Sequence, residues 1–229
     1  MSAVKEYFNH YESELTTASE SFYAWRKIHN LAQHDKSIYS ILNRNALSWN
    51  LILHSLQCTF FISLGRIISI DTNSLTINTL LEYCKKNIHE FSKAELKARK
   101  IAMSGNKEPG WLEGYMQSVY EPCENDFQVV QDEVSKQTDI YDNTYKRIRN
   151  KIYAHTDLKT IGLKNELFSK TNIDEIQNIF ETLHAARMFL FGLIYNGIKH
   201  DLKDFKKIYD EKVCEDIEEL LTTLKTISI

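Results

Sequence analysis

Glycine and proline are scarce, with 7 and 2 residues respectively in a chain of 229. Sandwiches, barrels and propellers turn about every ten residues and draw on those residue types to do so. Loop-rich β architectures are therefore excluded. Neither sign of charge dominates either: 28 Lys and Arg stand against 31 Asp and Glu, a net charge of −3. That balance argues against coating nucleic acid by bulk electrostatics, while leaving room for a local basic patch. The four cysteines, Cys58, Cys84, Cys123 and Cys214, are scattered, with no CxxC and no metal-ligand spacing beside a histidine. They are expected to be reduced, mostly buried thiols of a cytoplasmic protein. The opening MSAVKEYFNHYESE has acidic residues and no apolar core of a signal peptide. The longest apolar stretch, Leu51 to Ile70, is broken by His54, Gln57 and Arg66. It suits a core helix better than a membrane span, which needs ~20 residues almost free of such groups, and no membrane partner is expected.

What is present is helical periodicity. A composition of 43% hydrophobic and 26% charged residues is that of a globular protein able to bury ~70% of its unfolded surface. Six or seven helices are expected, arranged as an all-α, multi-helix up-and-down bundle in a single domain over 1–229. A first helix spans residues 3–33. A second, about Ser48 to Ile70, repeats Trp49, Ile52, Leu56, Phe60, Leu64 and Ile67 at helical spacing. Asp71 to Ser74 reads as a turn ending in an N-cap, followed by a helix through Leu80, Leu81 and Cys84. A charged helix covers about Ser92 to Met103, and Ser104 to Gly110 is the clearest loop. A third long helix starts near Glu124 with Phe127, Val130, Val134, Tyr141, Tyr145, Ile148, Ile152 and His155 in one stripe. Further helices run from about Ile173 to Ile198 and from Leu202 to Ile227. The last carries Phe205, Tyr209, Val213, Ile217, Leu220, Leu224 and Ile227 against an acidic face of Glu215, Asp216, Glu218 and Glu219.

The common catalytic templates are missing. There is no GxGxxG, GxxxxGK[ST], HExxH or GxSxG, and no two histidines fall at i,i+3 or i,i+4. No cofactor or metal ligand set is expected. One segment concentrates chemistry: Tyr145-Lys-Arg-Ile-Arg-Asn-Lys-Ile-Tyr-Ala-His-Thr-Asp157. Lys146, Arg147, Arg149 and Lys151 bring four cations into six residues of an acidic protein, interleaved with an amide, a tyrosine and a histidine. Arginine binds phosphate bidentately and histidine titrates near neutral pH, a pairing suited to phosphodiester chemistry. A structural reading stands beside it. Cations near a helix C-terminus favour the macrodipole, and His155 continues an apolar stripe where a satisfied core histidine also fits. Tyr153 offers itself either for stacking on a base or for packing. Tyr145 belongs to the core stripe. Arg66, inside an apolar helix, calls for a partner, and Trp25, Trp49 and Trp111 read as core or interface.

Arg149-Asn150-Lys-Ile-Tyr-Ala-His155 resembles the Arg-Asn-x4-His signature of the HEPN superfamily, the small helical bundles of prokaryotic toxins, abortive-infection proteins and related ribonucleases. Phe61-Ile-Ser-Leu-Gly-Arg-Ile67 and Ser74-Leu-Thr-Ile-Asn-Thr-Leu-Leu81, followed by that motif, are similar to the AbiU-like abortive-infection branch. The resemblance covers about Ile38 to Ile198, a core of about 38–200, with the helices 3–33 and 202–227 packed on it. It implies a metal-independent endoribonuclease of phage defence cleaving single-stranded or loop RNA, whose 2′-hydroxyl is the internal nucleophile. Carried over, His155 would be the general acid or base, Arg149 would bind the phosphate and stabilise its charge, and Asn150 would orient either. Lys146, Arg147, Lys151 and Tyr153 would contact substrate. Asp157 stands where many relatives of this superfamily carry a modifiable tyrosine, so control by nucleotide attachment there is not expected. An antitoxin or other regulatory protein is a further expected partner.

Spacing adds a constraint. On an ideal α-helix Arg149 and His155 lie ~120° apart and ~9 Å along the axis, so either the helix ends or bends before His155, or two copies pair their motifs across a twofold axis. The resemblance implies the second, a homodimer with the motif helices at the interface. Two other functions fit the same residues: a non-catalytic module binding nucleotide, RNA or protein through the basic helix end, and an interaction module using the acidic C-terminal helix.

Overall fold

Every element in the computed structural model is a helix or a helical turn, and no strand occurs among the described residues, which are 3–71, 73–154, 162, 164–205 and 211–227. The helices are α1 (Ala3–His34), α2 (Lys36–Arg44), α3 (Ala46–Ile68), α4 (Ile77–Lys86), α5 (Lys93–Met103), α6 (Leu112–Gln117), α7 (Glu124–Ile140), α8 (Lys146–Ile148), α9 (Lys164–Phe168), α10 (Ile173–Phe191) and α11 (Glu211–Ile227). Caps set several of the starts. The Asp35 carboxylate accepts from the Ser37 and Ile38 amides, which divides α2 from α1 where the sequence reading saw one helix and then a gap. The expected cap of α4 near Ser74 moves to Thr76, whose side chain accepts from the Thr79 amide while Thr79 accepts from the Thr76 amide. Ser74 instead donates to Asp71 at 2.6 Å, closing the turn before it. Ser92 caps α5, its side chain accepting from the Glu95 amide.

The chain forms two compact units. The first comprises residues 1–12, 67–143 and 172–207. Here α7 packs on α4 and α10, with Phe127 at 5.1 Å from Phe91 and 5.8 Å from Phe189 between ring centroids. Two polar groups inside this unit are paired over long sequence separations: the Tyr11 hydroxyl donates to the Leu183 carbonyl at 3.1 Å, and Arg187 meets Glu12 at 2.6 Å. Asp126 is buried at the start of α7, where its carboxylate accepts from Lys199, Tyr120 and the Cys123 amide. Beyond α10 the chain makes a wide turn over Gly192–Asn196 and reverses at Gly197, which holds a left-handed φ of +55°. A side chain there would meet Val119 and Leu96 within 2.7 Å, so only glycine fits.

The second unit comprises residues 13–66, 144–171 and 208–229. Ile28, Ile38 and Leu221 form a buried cluster with Trp49, Leu53, Leu56, Ile217 and Leu224 packed against it. Phe60 adds edge contacts to Phe22 and Trp25. Salt bridges Lys27–Glu218 and Lys225–Asp35 bind α11 to the elements beside it. The buried residue of α11 is Leu221, and the predicted core residues Leu220 and Ile227 face solvent. Ile217 and Leu224 keep the expected face, and Leu221 takes the buried position in place of Leu220. Tyr209 itself lies outside the described residues.

By length and composition α3 is long and apolar enough to cross a membrane. Its later residues Phe60, Phe61 and Leu64 are buried in the protein, whereas Leu47 and Leu51 are 89% and 68% exposed. Arg66 points outward and pairs with Glu14 at 3.4 Å, which supplies the partner expected for it. Trp49 packs in the cluster above, while Trp111 is exposed and meets Tyr115 edge-on.

Candidate functional site

The motif lies at the end of a helix that begins at α7 and does not keep one pitch. After Ile140 it widens to a π-turn over Tyr141–Tyr145, returns to α-helix for Lys146–Ile148, and widens again over Arg149–Ala154. Each π-turn bonds i to i+5, so it inserts residues relative to the α-helical register, and such turns concentrate at functional sites. The apolar stripe runs through Phe127, Val130, Val134, Thr138, Tyr141, Tyr145 and Ile148, all buried. It stops there. Ile152, expected to continue it, is only half-buried because the second π-turn rotates it off the line. The ~120° separation calculated for Arg149 and His155 assumed an unbroken α-helix and does not hold through this turn. His155 and Asp157 lie outside the described residues.

Arg149 and Asn150 are brought together. The guanidinium is half-buried and its Nη1 donates to the Asn150 side-chain oxygen at 2.8 Å. Its Nε is buried and finds no hydrogen-bond partner among the described residues. Lys146 and Lys151 are half-buried and engaged, and Arg147 is exposed. Asp142 is half-buried seven residues before Arg149.

Tyr153 is held by packing. Its ring stacks on Phe61 of α3 at 4.9 Å and 20° between planes, and meets Phe168 of α9 edge-on at 6.4 Å. Burial pushes its hydroxyl pKa well up, and the nearby Cys58 sulfur adds to the shift. The hydroxyl is buried with no hydrogen-bond partner among the described residues. One face of the ring is thus occupied, and the tyrosine ties the motif-bearing turn to α3.

The sequence reading missed a pair on the same face of α3. His54 and Cys58 stand one helical turn apart and share a hydrogen bond, with Nε2 and Sγ at 3.4 Å. The signal in the sequence is the i,i+4 relation itself. The His54 ring lies 6.2 Å from that of Tyr153.

Comparison with known proteins places the chain in a family. No curated protein and no solved structure gives a significant match. A model of the family described as HEPN_AbiU2 (AbiU2) matches residues 1–227, which takes in the two terminal helices that the motif resemblance left outside its core. With the match spanning nearly the whole all-helical chain, the protein belongs to the HEPN_AbiU2 family, the AbiU-like abortive-infection branch of the HEPN superfamily.

Proposed function

We propose that the protein is a metal-independent endoribonuclease of phage defence that cuts single-stranded or loop RNA through Arg149, Asn150 and His155. The observation that carries the reading is the Arg149–Asn150 pair at a widened helix turn, with the buried guanidinium Nε lacking a partner among the described residues. With Nη1 held by Asn150, the guanidinium is oriented to receive a phosphate oxygen once RNA binds. His155, five residues after Asn150, takes the proton of the 2′-hydroxyl and returns one to the leaving 5′-oxygen, and Arg149 stabilises the charge developing on the phosphate. Lys146, Arg147 and Lys151 raise the local concentration of the RNA backbone. Tyr153 contributes by fixing the turn. The nucleophile is supplied by the substrate, and that is the basis for proposing that the reaction proceeds in chelator. The protein is read as cytoplasmic.

The active form is proposed to be a homodimer, with RNA and a regulatory protein as its other partners. The exposed Leu47 and Leu51 at the start of α3 support self-association, since apolar side chains on one helical face gain from being covered.

The test uses an RNA oligonucleotide and its counterpart with a single 2′-deoxy substitution at the mapped cut. Cleavage of the first in EDTA, leaving a 2′,3′-cyclic phosphate, and none at the substituted position is the expected result. Products ending in a 3′-hydroxyl, or equal cutting of both, would overturn the mechanism. RNA that binds in a salt-sensitive manner but stays intact would establish the non-catalytic module instead.

A further inference from the structure

We infer that the seam between α3 and α9 is a shelf for the RNA backbone, on which His54 and Lys164 each hold a phosphate of the strand entering the Arg149 site. The inference rests on the nuclease reading and extends its substrate contacts beyond the motif. All the residues concerned lie in the second unit, and Tyr153 links them. Its ring belongs to the motif turn, yet lies 6.2 Å from the His54 ring on α3 and 6.4 Å from the Phe168 ring on α9. The Lys164 ammonium sits over that Phe168 ring, 5.9 Å from its centroid. It also lies within electrostatic reach of Cys58, one helical turn beyond His54. Imidazole and ammonium are therefore both set around the tyrosine of the motif turn.

Charge and hydrogen bonding at the seam suit a polyanion. Residues 46–68 and 144–154 contain no Asp or Glu, in a chain that has 31 of them. The one acid of α9, Glu166, is turned to Lys170 at 3.5 Å. Arg66, the other cation of α3, is taken by Glu14. Lys164 and His54 are both exposed, and Lys164 has no ion pair among the described residues. Cations on a surface without carboxylates raise the local concentration of a phosphate backbone. His54 is prepared as a donor. Burial holds the Cys58 thiol above its ordinary pKa, with the Lys164 ammonium opposing that shift, so the thiol is protonated at neutral pH. A thiol sulfur is a weak acceptor, so it is the thiol that donates to His54 Nε2 across 3.4 Å. The neutral imidazole then carries its proton on Nδ1, and a phosphate oxygen is the acceptor that a nucleic-acid strand presents. Leu51 and Leu47, one and two turns before His54, belong to the apolar contact proposed for a second copy. The shelf thus begins at the rim of that contact.

The test reads binding apart from cleavage. Full-length protein is titrated into a fluorescein-labelled single-stranded RNA whose 2′-hydroxyls are replaced by 2′-fluoro groups, and anisotropy is recorded at rising salt. The wild type is expected to bind in a salt-dependent manner. Lys164→Gln should weaken binding about three- to fivefold and lower the salt slope by about 0.7, and Lys164→Arg should restore both. His54→Ala should weaken binding about threefold. Lys212→Gln, on α11, should leave affinity and slope as in the wild type, and all variants should keep the far-ultraviolet circular dichroism. Binding that either Lys164→Gln or His54→Ala leaves unweakened would overturn the shelf while the nuclease reading stands. Weakened binding in both, with the corresponding 2′-hydroxyl RNA left uncut by the wild type, would keep the shelf and remove the nuclease. A wild type that binds no RNA would overturn both.

Discussion

At the scale of single residues, burial decides more than charge. His184 sits inside the first unit, and burial lowers its pKa to about 3, with the Arg187 charge acting in the same direction. The unfolded value is near 6.5, so the folded state holds this histidine neutral and gains from doing so. That gain is complete above pH ~6.5 and is lost as the pH falls from there toward 3. Denaturant unfolding between pH 7 and 4 should therefore show the wild type losing stability faster than His184→Leu, by up to about 1.4 kcal/mol per pH unit. Parallel curves would contradict this account of His184. Tyr153 makes a second case, because its ring packs while its hydroxyl is buried without a partner among the described residues. Tyr153→Phe should leave the melting temperature unchanged or raise it by the equivalent of about 1 kcal/mol. Tyr153→Ala should cost about 2 kcal/mol through the lost stacking on Phe61. Equal losses in both variants would show that the hydroxyl matters more than the ring.

At the scale of elements, chain reversals and caps carry the specific predictions. Gly197 ends the wide turn after α10 with a positive φ, and its neighbours leave no room for a Cβ. Gly197→Ala should cost about 2–3 kcal/mol, from strain plus the displacement of Val119 and Leu96. A calorimetric loss under 0.5 kcal/mol would mean that the turn relaxes. Asp126 shows how a cap becomes structural. Burial pushes its pKa up, but the hydrogen bonds from Lys199, the Cys123 amide and Tyr120 prevail and hold the carboxyl below its usual range. The long helices were legible from sequence because their apolar residues recur every three or four positions: α1, α3 and α5 begin and end near where periodicity puts them, and α7 begins there but stops at Ile140, where the expected helix ran on toward His155. The short α2 and α6 were not, since nine and six residues carry too few repeats to register above the background. The π-turns were invisible for a related reason. A periodic count tolerates one inserted residue, and only the half-buried Ile152 betrays that the stripe has left the core. In the site, the motif letters showed Arg149 and Asn150 as neighbours, but the hydrogen bond between them and the buried Nε depend on the local winding. His54 and Cys58 needed only the helical spacing that was already in hand.

At the scale of the whole molecule, the family match over residues 1–227 agrees with the helical architecture of the described residues, and assembly is the next question. The exposed start of α3 is expected to be covered in a second copy. Light scattering at micromolar concentration should report twice the chain mass for the wild type, and Leu51→Asp should halve it by placing a charge in that contact. A wild-type monomer that still cleaves RNA would remove the dimer from the account.

The central claim is that a guanidinium and an imidazole at one helix end break RNA through its own 2′-oxygen. It is tested most directly by incubating total RNA, in EDTA, with equal amounts of the wild type and His155→Ala, both shown by circular dichroism to be folded. The account predicts fragmentation by the wild type and intact RNA with the variant. Identical RNA profiles in the two tubes, cut or uncut, would contradict it.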